Sequence, residues 1–125
     1  MKKDISNRDD LYFIVSEFYK KLLNNNEMKY FFEKFQNKNT LEEHLQILVN
    51  FWDNILFYSG TYQKNAMQPH INLHEKKPFS KIHFETWLEL FNQSIDENFE
   101  GENVQILKNR ALSIATVMRI KTINS

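Results

Sequence analysis

Four histidines, His44, His70, His74 and His83, carry the chain's best metal-ligating groups, since it has no cysteine. His70 and His74 are four apart, so on a helix they share one side, as two metal ligands can. No His-Glu-x-x-His accompanies them and no carboxylate completes a cluster, which leaves solvated loop histidines as the plainer reading. His44 differs, because it shares a helical face with Ile47, Leu48 and Phe51 and so puts an imidazole on an apolar surface. Taken alone, such a residue is more often a satisfied core or boundary histidine than a functional one. His83 opens a helical segment beside Phe84 and has no evident partner. Tyr19, next to Phe18, and Trp87, in the middle of an apolar stripe, each bring a polar hydrogen that needs an acceptor when buried. Core packing is the ordinary role for both. Glu42 with Glu43, and Asp96 with Glu97, are sequence neighbours that diverge around a helix, so they read as surface rather than acid–base machinery. The sequence has no glycine-rich phosphate loop, no nucleophile triad in order and no basic stripe.

The elements that must position these groups are helical. Leu11, Ile14, Val15, Phe18 and Leu22 recur at helical spacing behind Asp9 and Asp10, predicting a first helix that ends near Asn24, Asn25 and Asn26. Tyr30, Phe31, Phe32 and Phe35 follow in a short segment too apolar for a solvated loop. Thr40 with Glu43 three positions on has the form of a capping box. From there Leu41, Leu45, Leu48, Trp52 and Ile55 form a stripe predicting a helix to about Tyr58, stopped by Gly60. Periodicity fades from Thr61 to Pro78, a loop with one short helix near Pro69. Phe84, Trp87, Leu88, Phe91 and Ile95 predict a long helix from about Lys81 to Asn98, capped by Ser80, and Gly101 breaks the chain again. Val104, Leu107, Ala111, Ile114 and Met118 mark a last helix, whose small Ala111 and Ala115 permit close approach of a neighbour.

Composition sets the frame. Eleven Phe, five Tyr and two Trp, against two Gly and two Pro, favour long helices around a bulky core over a strand-rich fold with many turns. The length of 125 residues suits one domain over 1–125. Sixteen basic residues balance sixteen acidic ones, so no net field attracts nucleic acid or anionic membrane. The N-terminal MKKDISNRDD has no apolar stretch behind it, so a secretory signal is not expected there. No apolar run reaches the roughly 18 residues that span a bilayer. The expectation is a soluble cytoplasmic protein.

Read together, these residues resemble the group III truncated haemoglobins. The resemblance runs from Phe18-Tyr19 through Phe32 to His44, which stands seven residues before Phe51-Trp52. It continues through Tyr62-x-x-Asn65-x-Met67-x-x-His70-x-x-Leu73 and then His83-Phe84-x-x-Trp87-Leu88-x-Leu90-Phe91. Ala66 stands where many relatives have Pro, and Lys64 replaces a frequent Gly. The resemblance implies an all-α truncated globin, a two-over-two helical sandwich enclosing a non-covalent haem b. It implies His70 as the proximal ligand to iron, Tyr19, His44 and Trp87 as distal polar residues, and Phe32, Leu48, Phe51 and Leu73 as the apolar surround. The function implied is reversible binding of oxygen and other diatomic gases such as NO and CO. Alternatives are a nitric-oxide dioxygenase or peroxidase-like enzyme served by an unidentified reductase, and a haem-free helical interaction module.

Overall fold

A computed structural model describes residues 2–57 and 80–123, with side chains described to 120. The described elements are α1 (Arg8–Asn24), a 3-10 segment (Lys29–Gln36), α2 (Lys38–Phe57), α3 (Lys81–Asp96) and α4 (Glu102–Ile123). Helix α1 packs against α2, α3 and the 3-10 segment, while α4 packs against α3 and α2. The expected all-helical architecture is found. The loop from Thr61 to Pro78, with the short helix expected near Pro69, lies outside the described residues, as do Tyr58 and Gly60.

Each helix forms where its apolar stripe and caps agree. The Asn7 side chain accepts from the Asp10 N–H at 3.0 Å, with Asp9 and Asp10 in the positive first turn of α1. Leu11, Ile14, Val15, Phe18, Tyr19 and Leu22 then face the core. The 3-10 segment buries Phe31, Phe32 and Phe35, while Tyr30 stays exposed. The segment kinks at Phe32 (φ −120°, ψ 20°), and the Phe32 and Phe35 rings stack with centroids 6.2 Å apart.

Helix α2 begins earlier than Thr40 and Glu43 led us to expect. Asn37 Oδ1 accepts from the Asn39 and Thr40 N–H groups at 3.0 and 3.1 Å, so Asn37 is the cap and Thr40 lies inside the first turn. An Asn cap is at least as good an acceptor as Thr, and it comes first along the chain. Leu45, Leu48, Val49, Trp52 and Leu56 are buried along α2, and the buried Asp53 meets Arg8 at 3.2 Å, tying α2 to the start of α1. In α3 the Ser80 cap holds, and it is completed from an unexpected quarter. His83 Nδ1 accepts from the Ser80 N–H at 2.9 Å, and the imidazole packs edge-on against Phe31 with centroids 4.6 Å apart. The histidine that lacked a partner in the sequence is thus a helix cap.

The N-terminal segment is structural as well. Lys3 forms a parallel bridge with Phe99, Ile5 is buried, and Asp4 reaches α4. The Asp4 carboxylate accepts from Asn103 N–H at 2.9 Å and Val104 N–H at 3.2 Å, while Asn103 Nδ2 donates to the Ile5 carbonyl at 2.7 Å. A carboxylate at a helix N-terminus satisfies orphan donors and meets the positive end of the dipole. Gly101 makes room for it, because a Cβ there would fall 2.5 Å from Asp4 Cγ, and its φ of +143° disfavours any other residue.

This cap generates a prediction. Asp4→Ala removes an acceptor serving two N–H groups and is expected to cost about 1–2 kcal/mol. Gly101→Ala combines the clash with the disfavoured φ, at roughly 2–3 kcal/mol. Urea denaturation of both variants measures this, with a lowered midpoint and an unchanged slope expected. An unchanged midpoint in Asp4→Ala would show that α4 does not depend on this contact.

Candidate functional site

The apolar stripes of α1, α2 and α3 converge on a cleft of about 410 Å³, part of it open to solvent. Helix α1 contributes Val15, Phe18 and Tyr19, α2 contributes Leu48, Phe51 and Trp52, α3 contributes Trp87 and Phe91, and Ile114 of α4 closes the far side. Positions three and four apart on each helix supply neighbouring wall residues, which is why short stretches of each suffice. Phe18 is the hub of the wall. Its ring meets Tyr19, Trp87 and Phe91 edge to face, with centroids 5.5, 5.5 and 5.1 Å away. Trp87 and Trp52 each stack on Phe91, at 5.8 and 5.6 Å. Aromatic pairs of these geometries contribute about 0.5–1.5 kcal/mol each beyond their buried area, so the walls are rigid.

One edge of this apolar cleft is polar. The Tyr19 hydroxyl lies 2.7 Å from His44 Nε2, although the residues are far apart in sequence and sit on different helices. Tyr19 is 1% exposed, and burial pushes its phenol far above the ordinary value, so the side chain keeps its proton across the physiological range. His44 is half-buried. Trp87 is buried in the same wall, indole nitrogen included, with Phe18 between it and Tyr19.

Only one hydrogen occupies the short gap between Tyr19 and His44, so two arrangements exist. Either the phenol donates to Nε2, or an Nε2–H donates to the phenol oxygen. In the second arrangement the phenolic O–H is available to another acceptor. The histidine tautomer therefore decides whether the phenolic hydrogen is spent on His44 or free for another acceptor.

The sequence-derived candidates divide by place. Tyr19, Leu48, Phe51 and Trp87 stand in the cleft wall, and His44 joins them through Tyr19. Phe32 lies behind Tyr19, ring edge to ring face at 5.8 Å. His70, Leu73 and His74 lie outside the described residues. Among the described residues no three His, Asp or Glu side chains converge, and no helix is long and apolar enough to cross a membrane. The neighbouring carboxylates behave as surface groups. Glu42 accepts from Tyr12, Asp96 pairs with Lys108, and Glu97 pairs with Lys21.

Two features went unread in the sequence. Val15, Phe18, Trp52, Phe91 and Ile114 belong to the wall, and their helical periodicity was the available signal, since it puts each on the face shared with a candidate. The contact of Phe35 with His44 left no such signal, because it joins two elements. The wall is apolar and largely aromatic, with the Tyr19–His44 pair beside it, and suits contact with a flat apolar group that carries a polar substituent. That is the chemistry of a porphyrin macrocycle.

Comparison with known proteins agrees with this geometry. The family profile of the bacterial-like globins matches residues 4–122. A group 3 truncated haemoglobin of Campylobacter jejuni is 27% identical over 118 residues, covering 93% of this chain and 91% of the relative. The crystal structure of a group III truncated haemoglobin from the same species superposes with a TM-score of 0.85 at 25% identity, covering 98% of this chain and 95% of that one. The chain belongs to the bacterial-like globins, a haem-binding family, and its fold is that of a truncated haemoglobin.

Proposed function

We propose that this globin holds a non-covalent b-type haem and reversibly binds oxygen and other diatomic gases, with His70 as the protein ligand to iron. Leu48, Phe51, Leu73 and Phe32 form the apolar surround in this reading. The lack of cysteine supports the non-covalent form, since thioether attachment needs thiols. Haem, when bound through a single protein ligand, supplies an iron with one coordination position left for a gas. The rest of the reading concerns what the chain's own side chains do.

The observation that carries it is the polar edge of an otherwise apolar cleft, the Tyr19 hydroxyl 2.7 Å from His44 Nε2. A gas that gathers negative charge, as dioxygen does, is retained by a donor aimed at it, whereas carbon monoxide gathers little. Burial keeps the Tyr19 proton in place. Tyr19 donates into the cleft when His44 Nε2–H donates to Tyr19, so the histidine tautomer sets the availability of the donor. Trp87 offers a second N–H from α3. Apolar walls exclude competing water and strengthen each of these bonds. A cleft so equipped favours slow oxygen release.

Two expectations follow. A hydrogen bond to a charge-bearing partner contributes about 1.5–3 kcal/mol, so Tyr19→Phe should speed oxygen release roughly tenfold to a hundredfold while changing carbon monoxide release much less. Trp87→Phe should act in the same direction. Stopped-flow dissociation of both gases measures the difference. An equal change for the two would mean altered access, and no change would return Tyr19 and Trp87 to packing. Separately, His70→Gly is expected to remove the bond from protein to iron, and added imidazole to restore a five-coordinate ferrous spectrum. His74→Ala and His83→Ala should leave that spectrum intact. Loss of coordination in His74→Ala, with His70→Gly unaffected, would overturn the assignment of His70.

A further inference from the structure

Phe35 contacts both members of the polar pair. Its ring stacks on the His44 imidazole with centroids 4.6 Å apart and planes 22° apart, and it meets the Tyr19 ring at 5.4 Å with planes at 87°. We propose that Phe35 is the positioning residue of the Tyr19–His44 pair, its flat face fixing the imidazole plane so that Nε2 stays on the phenol. This rests on the gas-binding reading above.

The argument is geometric. His44 is half-buried, so water competes for its ring nitrogens, and an imidazole turns readily about its Cβ–Cγ bond. Any large turn of that bond drives the ring edge into the Phe35 face and breaks the stack. Sliding within the plane leaves Nε2 near Tyr19, whereas turning out of the plane removes it. The stack therefore opposes turning of the imidazole out of its plane, a motion that separates the pair.

Phe35 is itself held. It is 6% exposed, Phe32 stacks on it at 6.2 Å, and Lys34 Nζ lies 5.1 Å from its ring centroid. The segment kinks at Phe32, and the Phe32 and Phe35 rings stack across that kink, so one segment backs Tyr19 with one ring and His44 with the other. A leucine would fill comparable space without offering a flat face. Simple core filling and positioning thus predict different behaviour for the same variant.

The test compares haem-loaded wild type with Phe35→Leu and Phe35→Tyr. In the carbon-monoxide form, nitrogen-15 NMR of the histidine rings should show His44 in a single tautomer with a slowly exchanging ring N–H in wild type and in Phe35→Tyr. Phe35→Leu should lose that protection and average its tautomers. Oxygen release should accelerate about two- to tenfold in Phe35→Leu, carbon monoxide release should change less, and adding Phe35→Leu to His44→Leu should have no further effect. Should Phe35→Leu fail to fold, Phe35→Met gives the same comparison with a more adaptable side chain. Unaltered His44 resonances, equal acceleration of both gases, or effects that add to those of His44→Leu would reduce Phe35 to packing and overturn the proposal. A wild type that takes up no haem would instead overturn the gas-binding reading, so the two failures are distinct.

Discussion

The hydrogen bond between the Tyr19 hydroxyl and His44 Nε2 is the constraint around which the site is arranged. A buried phenol and a half-buried imidazole each cost free energy where burial leaves them without a partner. Pairing them across two helices meets both needs with one contact. It also fixes the facing of α1 against α2, because rotating either helix by one residue would carry one of the two groups away. The aromatic rings around Tyr19, from Phe18, Phe32 and Phe35, enclose the phenol side of that contact, while His44 stays half-buried.

The rest of the chain supports this arrangement from a distance. Asp53 and Arg8 join the start of α1 to α2, and Asp4 joins the N-terminal segment to the start of α4, so α1 is fixed near its origin from two directions. The buried stripe of α4, with Ala111 and Ala115 fully packed, allows Ile114 to reach the far wall of the cleft. Small residues matter here for a physical reason. Helices approach closely only where side chains leave room, and a narrower gap sets the depth of the cleft.

Much of this was legible in the sequence, and unevenly so. Local periodicity places Leu11 through Leu22 and Phe84 through Ile95 on buried faces, and both helices are found at those places. Ser80 was recognisable as a cap from its position, but its reciprocal partner was not, because a histidine seldom completes such a box. At α2 the local rule misled. Thr40 and Glu43 have the right spacing, yet Asn37 caps the Asn39 and Thr40 N–H groups and starts the helix three residues earlier, and spacing alone does not rank competing caps. The contacts that make the site are of another kind. Tyr19 with His44, and Phe35 with both, depend on how α1, α2 and the 3-10 segment pack, and no periodicity within one element encodes that. The resemblance named Tyr19 and His44 together, whereas only the fold puts a distance between them.

The central claim is that this cleft receives haem while His44 stays on Tyr19 and away from the iron. The most direct measurement is the absorption spectrum of the protein titrated with haem, reduced, and then exposed to carbon monoxide. The account predicts a stoichiometric Soret band, a five-coordinate high-spin ferrous form, and complete conversion on adding the gas. A Soret band that never develops would contradict it. So would a six-coordinate low-spin ferrous spectrum that His44→Leu abolishes, because His44 would then be ligating iron rather than holding Tyr19.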